Sequence, residues 1–280
     1  MESFYHFTTI ETLVNMLNNS LKFDENTSQR YIEFWATEIT ALNDTTERDL
    51  FVGVLVNKVR LYAGKKGKQL TDEQEQELGK LCYSDLYVIS LTSKELSISD
   101  ELNMWRGYGG NGYGACLELD FSNVPPFYST GKNAFQMEDV FIPCKCKYTN
   151  AADIEIDDEI VTQLYEVLTS TEEDYTKKTL AKSAIMSKVS NIAPYYKHEA
   201  YKSEHEWRFV KHSLAEPKYR KRGNLIIPYI TYNIPVTSII SIKIGPCIKN
   251  SDDIDSLVQF IRRKLGRNVQ IKFSEIPYRG

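Results

Sequence analysis

The sequence predicts an α+β fold, in which mixed or antiparallel sheets form a cleft and helices pack on those sheets. Predicted strands and helices do not alternate regularly along the chain, which argues against a doubly wound parallel sheet. Three apolar β runs each carry polar residues, and an unpartnered buried polar group costs stability, so we expect these residues to converge in one cleft. We predict a single domain over residues 1–280, with a helical insert or subdomain at about 150–195.

The composition is that of a globular chain that needs neither metal nor disulfides to fold. Its 280 residues are 42% hydrophobic and 26% charged, as in ordinary soluble domains. A net charge of −4 argues against a chain that binds nucleic acid or anionic membrane over its whole surface. Five cysteines without repeated spacing do not resemble a secreted disulfide framework. The first residues lack a signal-peptide pattern and no run of about 18 apolar residues occurs, so we expect a cytoplasmic protein without a membrane partner.

The first third of the chain predicts three strands and three helices. The strand SFYHFT runs directly into the helix TIETLVNMLNN, and Thr8 with Glu11 fits a capping box at that helix start. A second strand, YIEFWAT, precedes a long helix at about 47–63 and a further helix that opens at Thr71. The β-branched and aromatic run LYVISLT then predicts the third strand.

The rest of the chain continues this irregular order. A short helix ends in a glycine-rich turn that feeds the strand GACLELDF, and DVFIPCKCKYT predicts another strand. A helical region follows at about 157–195, and strands return at HEWRFV, NLIIPYI and SIISIKIG. Acids in the first turn, bases in the last turn and Gly266 as C-cap predict the helix DDIDSLVQFIRRKLG before the closing strand VQIKFSEI.

The segment SEHEWRF contains a pair of glutamates that is either a surface feature or a site. On a strand, Glu204, Glu206 and Arg208 share one side. Two like charges on one side repel unless a cation or a polar ligand lies between them. Trp207 and Phe209 favour the core, so we expect the acidic side to face a cleft or solvent. One interpretation is a surface salt bridge worth under about 1 kcal/mol, and the other is a catalytic pair.

The glycine-rich segment NMWRGYGGNGYG, at 103–114, is a candidate ligand-binding loop. Glycines allow a ligand to approach the backbone closely. Trp105 and Tyr108 offer flat aromatic faces, and Arg106 offers a forked donor suited to phosphate. The alternative is a hairpin-like connection in which Trp105 plugs the core. The segment matches neither the dinucleotide-binding glycine fingerprint nor a P-loop.

Two smaller features are further candidates. His6 lies within an apolar strand, where a buried imidazole must be hydrogen-bonded, so it is either a satisfied core residue or part of a site. The segment KYRKRGN is the only dense basic patch. Such a run is usually a solvated loop, but it is also the candidate for steering nucleic acid or a phosphate-bearing substrate. Its basic residues are Lys218, Arg220, Lys221 and Arg222.

Taken together, these blocks resemble the bacterial domain-of-unknown-function family 2971. The segments that carry the resemblance are FYHFTTIETLVNML, WATEITALND, YVISLT, SDELNMWRGYGGNGYGACLELD, HEAYKSEHEWRFV and SIKIGP. They cover most of the chain, and W-R-x-Y-G combined with E-x-E-W-R is the most specific part. The family name implies no activity.

A weaker resemblance is to the ADP-ribosyltransferase layout, in particular to DNA-modifying toxins that also open with a histidine-threonine strand and helix. It implies that His6 holds the NAD ribose and that Ser90 and Thr92 match the middle-strand serine/threonine pair. It also implies that Glu206 is the catalytic glutamate, with Glu204 two residues before it. The W-R-G-Y-G block has no clear counterpart in the transferase motif.

The resemblance therefore implies an NAD-dependent ADP-ribosyltransferase-like enzyme or NAD glycohydrolase, as a toxin or anti-phage effector. It would use NAD as a substrate, require no metal and modify a nucleic-acid or protein acceptor. The implied catalytic residues are His6, Glu204 and Glu206, and the implied NAD-binding residues are Ser90, Thr92, Trp105, Arg106 and Tyr108. Two alternatives stay open. One is a non-enzymatic module that senses a nucleotide or binds a protein, and the other is a hydrolase or nuclease that uses Glu204 and Glu206.

Overall fold

The computed structural model describes residues 3–18, 22–24, 29–42, 45–81, 85–93, 100–122, 143–170 and 175–280. The strands are β1 (Ser3–Thr9), β2 (Lys22–Asp24), β3 (Gln29–Glu38), β4 (Leu86–Ser93), β5 (Gly114–Asp120), β6 (Cys144–Lys145), β7 (Lys147–Thr149), β8 (Tyr196–His198), β9 (Glu206–His212), β10 (Lys218–Arg222), β11 (Leu225–Pro235), β12 (Ile239–Ile244) and β13 (Gln270–Phe273). The α-helices are α1 (Ile10–Asn18), α2 (Thr45–Lys65), α3 (Asp72–Leu81), α4 (Leu102–Gly107), α5 (Asp158–Thr169), α6 (Tyr175–Ser190) and α7 (Ser251–Leu265). These helices and a mixed, mostly antiparallel sheet confirm the α+β class.

Strand β4 is central to the large sheet because three other strands pair with it. A strand has only two hydrogen-bonding edges. Strand β9 lies antiparallel along one edge, over residues 86–92. Strands β3 and β1 share the other edge, where β3 pairs at Tyr87 and Val88 and β1 pairs at Thr92 and Ser93. The two strands therefore diverge, and the opening between them faces residues 89–91 of β4.

The sheet continues in two directions from this divergence. On one side, β3 pairs with β11, and β11 pairs with β10 at the edge. On the other side, β1 pairs with β5, β5 pairs with β12, and β12 pairs in parallel with β13. Strand β6 pairs with β9, while β7 and β8 form a separate parallel pair. The opening between β1 and β3 is thus bordered by two well-paired groups of strands.

Helices bury this sheet through two large apolar clusters. In the first, α1 and α7 pack against the strands through Leu13, Leu17, Leu257 and Ile261. In the second, α2, α3, α5 and α6 pack together and against Val88 of β4. The predicted helical region at about 150–195 thus contributes α5 and α6, which contact each other, and α5 also contacts α2. None of the helices in the described part of the chain is long and apolar enough to cross a membrane.

Two local expectations from the sequence are wrong. Thr9, not Thr8, caps α1, because its Oγ1 accepts a hydrogen bond from the Thr12 backbone N–H at 3.1 Å. Thr8 is still paired with Ala115 in the ladder between β1 and β5. The basic segment expected as a solvated loop is instead strand β10, which pairs with β11 at all five of its residues. The expected start of α3 is confirmed, since the Thr71 hydroxyl accepts from the Gln74 N–H.

A third, smaller cluster packs α4 against the sheet. The chain that follows passes so close to other backbone atoms that β5 must begin with a glycine. The cluster consists of Tyr5, Phe7, Met104, Trp105 and Cys116. The chain enters β5 at Gly114. A Cβ atom there would lie 2.2 Å from the Thr8 carbonyl oxygen and 2.6 Å from the Gly109 carbonyl oxygen. Both are backbone atoms, which cannot move aside without displacing β1 or the turn.

We therefore expect Gly114→Ala to lower the free energy of unfolding by about 1–3 kcal/mol or more, the usual cost of overpacking. Urea denaturation followed by far-UV circular dichroism measures this change. Gly107→Ala is the matched control, because no atom lies within 4 Å of a Cβ at that position. If the two variants are equally stable, Gly114 is not sterically required.

Candidate functional site

A cleft of about 370 Å³ opens where β1 and β3 diverge from β4. Ligand pockets commonly have volumes of about 300–1,000 Å³. A smaller cavity of about 90 Å³ shares part of its wall. Of the residues predicted from sequence, the larger cleft is lined by His6, Ser90, Tyr108, Glu206, Arg220 and Arg222, and the smaller cavity adds Thr92 and Glu204. Residues from β1, β4, β9 and β10 are thereby brought to one place.

His6 closes the floor of the opening between β1 and β3. Its Nδ1 donates a hydrogen bond to the Ser90 carbonyl oxygen at 3.1 Å, and its ring lies 5.2 Å from the Phe34 ring of β3. Burial, helped by the positive charge of Arg220 and opposed by the Ser90 hydrogen bond, lowers the pKa of His6 below its ordinary value. The ring is therefore neutral, and a neutral ring that donates from Nδ1 presents Nε2 as an acceptor.

Glu206 is buried at the start of β9 and is ionised. Its Oε1 accepts from Arg208 Nε at 2.9 Å, and its Oε2 accepts from Arg208 Nη2 at 3.0 Å and from Lys197 Nζ at 2.6 Å. Its backbone N–H donates to the Tyr148 hydroxyl at 2.6 Å. Burial alone would raise the pKa of Glu206, but Arg208 and Lys197 outweigh that effect and hold the pKa at about 2.

Lys197, on β8, joins the two glutamates. Its ammonium donates to Oε2 of Glu204 as well as to Oε2 of Glu206, and it lies 5.0 Å from the centre of the Tyr201 ring. The Tyr108 hydroxyl donates to Oε1 of Glu204 at 2.8 Å. Burial and the charge of Glu204 raise the pKa of Tyr108, so its phenol keeps the proton that it donates. Sequence reasoning missed Lys197, although two nearby glutamates did indicate that a cation or polar ligand was needed.

The strand geometry expected for the acidic pair is wrong in one respect. Glu204 ends a 3-10 helix (Glu199–Glu204), and His205 follows with φ 45° and ψ 44°, so the strand begins only at Glu206. A left-handed turn and Lys197, not strand alternation, bring the two carboxylates together. Phe209 joins the core and Trp207 packs against it, as expected. The surface salt bridge is excluded, because Glu206 and Arg208 are only 5% and 2% exposed.

The glycine-rich segment contributes less to the cleft than expected. Trp105 is fully buried, donates from Nε1 to Asp100 Oδ1 at 3.0 Å and packs edge-on against Phe7. Arg106 is exposed and lies 5.0 Å over the Tyr278 ring. These placements correct the expectation that Trp105 and Arg106 contact a ligand in the cleft. Successive residues of α4 point about 100° apart, so this helix directs Trp105 inward and Arg106 outward, while Tyr108 follows and reaches the cleft.

The basic patch is divided by the alternation of β10. Arg220 and Arg222 line the cleft, whereas Lys221 points to the opposite side and is exposed. Lys218 is exposed beside Glu33, with Nζ and Oε2 3.7 Å apart. The four residues that sequence grouped as one steering patch therefore occupy two different surfaces.

The acidic side of the cleft lies within a segment that matches a known family. The family model DUF2971, described as a protein of unknown function, matches residues 104–209. The chain carries a DUF2971 region, as the sequence predicted. This region contains Tyr108, Lys197 and Glu206, whereas His6 and Arg220 belong to strands outside it. No curated protein and no solved structure matches the chain. The DUF2971 region thus supplies one wall of the cleft, and the flanking strands supply the other.

Removing the cation between the two glutamates is expected to destabilise the DUF2971 region. Lys197→Met leaves two carboxylates close together with only Arg208 to neutralise them, and breaking a buried ion pair costs about 3–5 kcal/mol. The depressed pKa of Glu206 contributes stability above its ordinary value of 4.5 that is lost as the pH falls toward 2. The loss caused by Lys197→Met is therefore expected to be smaller at pH 4 than at pH 7.

Urea denaturation at both pH values measures this loss. The control is Lys202→Met, which removes an exposed lysine from the neighbouring 3-10 helix. Equal stability of the two variants at pH 7 would contradict the role assigned to Lys197.

The neutral state of His6 predicts that the stability of the fold depends on pH near 6.5. The unfolded chain takes up a proton on this residue near the ordinary pKa of 6.5, whereas the folded chain resists it. Stability is therefore expected to fall as the pH drops below 6.5, by at most about 1.4 kcal/mol per pH unit for one proton. His6→Asn keeps a donor near the Nδ1 position but cannot titrate. Thermal unfolding at pH 7.5 and 5.5 is expected to show a smaller shift for His6→Asn than for the wild type or for the control His212→Asn, and equal shifts would refute the assignment.

Proposed function

We propose that the chain is an NAD-dependent ADP-ribosyltransferase-like enzyme that binds NAD as its substrate in the cleft between β1 and β3. The observation that supports this proposal is the convergence of His6, Ser90 and Glu206 on one cleft of ligand size. These residues come from three strands that are far apart in sequence. The resemblance to the transferase layout implies a role for each of them. A cleft at the divergence of two strands leaves room for a ligand beside polar groups that the sheet itself holds in place.

In this proposal, residues of both cavities contact the ligand. The Nε2 acceptor of His6 is suited to a ribose hydroxyl, because its Nδ1 is already committed to the Ser90 carbonyl. Thr92 is buried and lines the smaller cavity beside Glu206. Tyr108 lines both cavities and supplies an aromatic face near the two glutamates. In this proposal the nicotinamide ribose lies where the smaller cavity meets the larger cleft.

Glu206 is assigned the electrostatic role in the reaction. A carboxylate has about four lone-pair positions, and Arg208 and Lys197 use three of them. One position on Oε1 therefore stays available for a ribose hydroxyl. When the bond from the ribose to nicotinamide breaks, its electron pair leaves with neutral nicotinamide and positive charge develops on the sugar. A fixed carboxylate that is already ionised stabilises this charge without reorganisation.

Glu204 is assigned the acceptor side of the reaction. The acceptor nucleophile forms the new bond to the sugar carbon and loses a proton, which Glu204 accepts. Tyr108 and Lys197 orient this carboxylate. If the nucleophile is water, the same steps hydrolyse NAD. A nucleic-acid or protein acceptor makes the chain a modifying enzyme of the toxin or anti-phage type.

A second candidate function is a non-enzymatic module that senses a nucleotide in the same cleft. The observation that favours it is the neutralisation of Glu206 by two cations, an arrangement that also occurs in purely structural ion clusters. In that case NAD binds but is not consumed. The carboxylate-based hydrolase has less support, because the Lys197 ammonium lies between the two glutamates that would have to hold a metal ion.

Glu206→Gln tests the enzymatic proposal. The substitution keeps the shape of the side chain and removes its charge. We expect the rate of nicotinamide release from NAD, measured by liquid chromatography, to fall by on the order of 10² or more, the scale of losing one transition-state contact. Glu204→Gln is expected to reduce transfer to an acceptor more than it reduces hydrolysis.

The control is Glu216→Gln, which changes an exposed glutamate beyond β9. Circular dichroism establishes that each variant is folded before its rate is compared. Undiminished nicotinamide release by folded Glu206→Gln would show that this residue is not catalytic. Binding of NAD by the wild type without any nicotinamide release would favour the sensing module.

A further inference from the structure

The wall of the cleft opposite the glutamates carries positive charge. Arg220 and Arg222 occupy alternate positions of β10 and both line the cleft. Among the described side chains, neither arginine forms an ion pair with a carboxylate. The neighbouring Lys218, in contrast, lies beside Glu33. Burial, together with the repulsion of the neighbouring Arg222, lowers the pKa of Arg220. A ligand with negative charge would relieve that cost.

Arg220 is held in place by a hydrogen bond and by two aromatic rings. Its Nη2 donates to Thr37 Oγ1 at 2.8 Å, and its guanidinium lies 5.1 Å from the Trp35 ring and 5.8 Å from the Tyr229 ring. Its Nε is buried without a hydrogen-bond partner. Buried polar groups are nearly always hydrogen-bonded, so this unsatisfied donor shows that Arg220 is held here at a cost in stability. The guanidinium is fixed by stacking and lines the cleft, and its forked N–H groups are suited to a phosphate oxygen.

Arg222 and the start of α1 add to this positive wall. Arg222 Nη2 donates to the Ala41 carbonyl oxygen at 2.9 Å, which fixes the side chain beside the cleft. Thr9 and Thr12, at the N-terminal end of α1, line the same cleft. The amino end of a helix carries partial positive charge and favours anions. Two arginines and a helix dipole thus act in the same direction.

We infer that Arg220 and Arg222 form a phosphate subsite for a nucleoside diphosphate in the cleft. The inference rests on the proposed function for the rest of the ligand, whose ribosyl end would lie at Glu206. Arg220 and Arg222 line the same cleft of about 370 Å³ as Glu206, so a single ligand can contact both walls. A nucleic-acid backbone is the less favoured source of phosphate, because Lys221 points away from the cleft.

The test uses ADP as the probe, because ADP has no nicotinamide to lose and so reports on binding alone. Isothermal titration calorimetry is expected to show that Arg220→Gln weakens ADP binding about 10- to 100-fold, the scale of losing charge-assisted hydrogen bonds. Arg220→Lys is expected to restore little, because an ammonium lacks the fork and the stacking. Adenosine binding is expected to be the same in the wild type and Arg220→Gln.

Lys221→Gln is the matched control, since it removes a positive charge from the outer face of the same strand. Its ADP affinity is expected to equal that of the wild type. If Arg220→Gln does not fold, Arg222→Gln serves instead, with a loss expected in the same direction. Unchanged ADP affinity in the arginine variants, or no ADP binding by the wild type, would overturn the inference. So would binding of a single-stranded oligonucleotide that depends on Lys221 as strongly as on Arg220.

These outcomes are separable from those of the proposed function. Arginine-dependent ADP binding without nicotinamide release would leave the subsite standing and remove the transferase proposal. If the wild type releases nicotinamide and Arg220→Gln has an unchanged KM for NAD, the transferase proposal would stand and the phosphate subsite would be refuted.

Discussion

The divergence of β1 and β3 from one edge of β4 is the constraint on which the cleft depends. Because β9 occupies the other edge completely, both strands must share what remains, and each pairs with only two residues. The backbone between those pairs would be left without a partner if nothing filled the opening. His6 does so with its hydrogen bond to the Ser90 carbonyl. A single side chain thus closes the floor of the cleft while the opening above it stays wide enough for a ligand.

Charge is distributed unevenly around this opening. On one side, the carboxylates of Glu204 and Glu206 are matched by Lys197 and Arg208, and the whole group is buried or nearly so. On the other side, Arg220 and Arg222 lack such partners among the described side chains. The low pKa of His6 follows from the same asymmetry, because burial and the nearby Arg220 both disfavour its protonation. The cleft therefore has a fixed polarity that an elongated ligand with one anionic end would match.

Much of the fold was predictable from sequence because local signals and tertiary packing agreed. The strand β1 entering α1, the strand β4 and the capped helix α7 all follow from periodicity and capping residues. His6, Ser90 and Glu206 could be singled out because polar residues within apolar strands require partners. Lys197 could not be singled out, since nothing in a three-residue strand distinguishes one lysine from the others. Its importance arises only from the two carboxylates that it contacts.

The sequence by itself determined the α+β class, the polar residues that had to find partners and the family of residues 104–209. The tertiary structure alone decided which of the remaining candidates face the cleft. Trp105 turned out to be a core residue and Arg106 a surface residue, because successive residues of α4 point about 100° apart and only Trp105 faces the sheet. The KYRKR segment became a strand because β11 pairs with it, and that pairing turned Arg220 and Arg222 inward and Lys221 outward. Local sequence specifies side-chain chemistry, but the direction of a side chain depends on long-range pairing, which no short stretch of sequence contains.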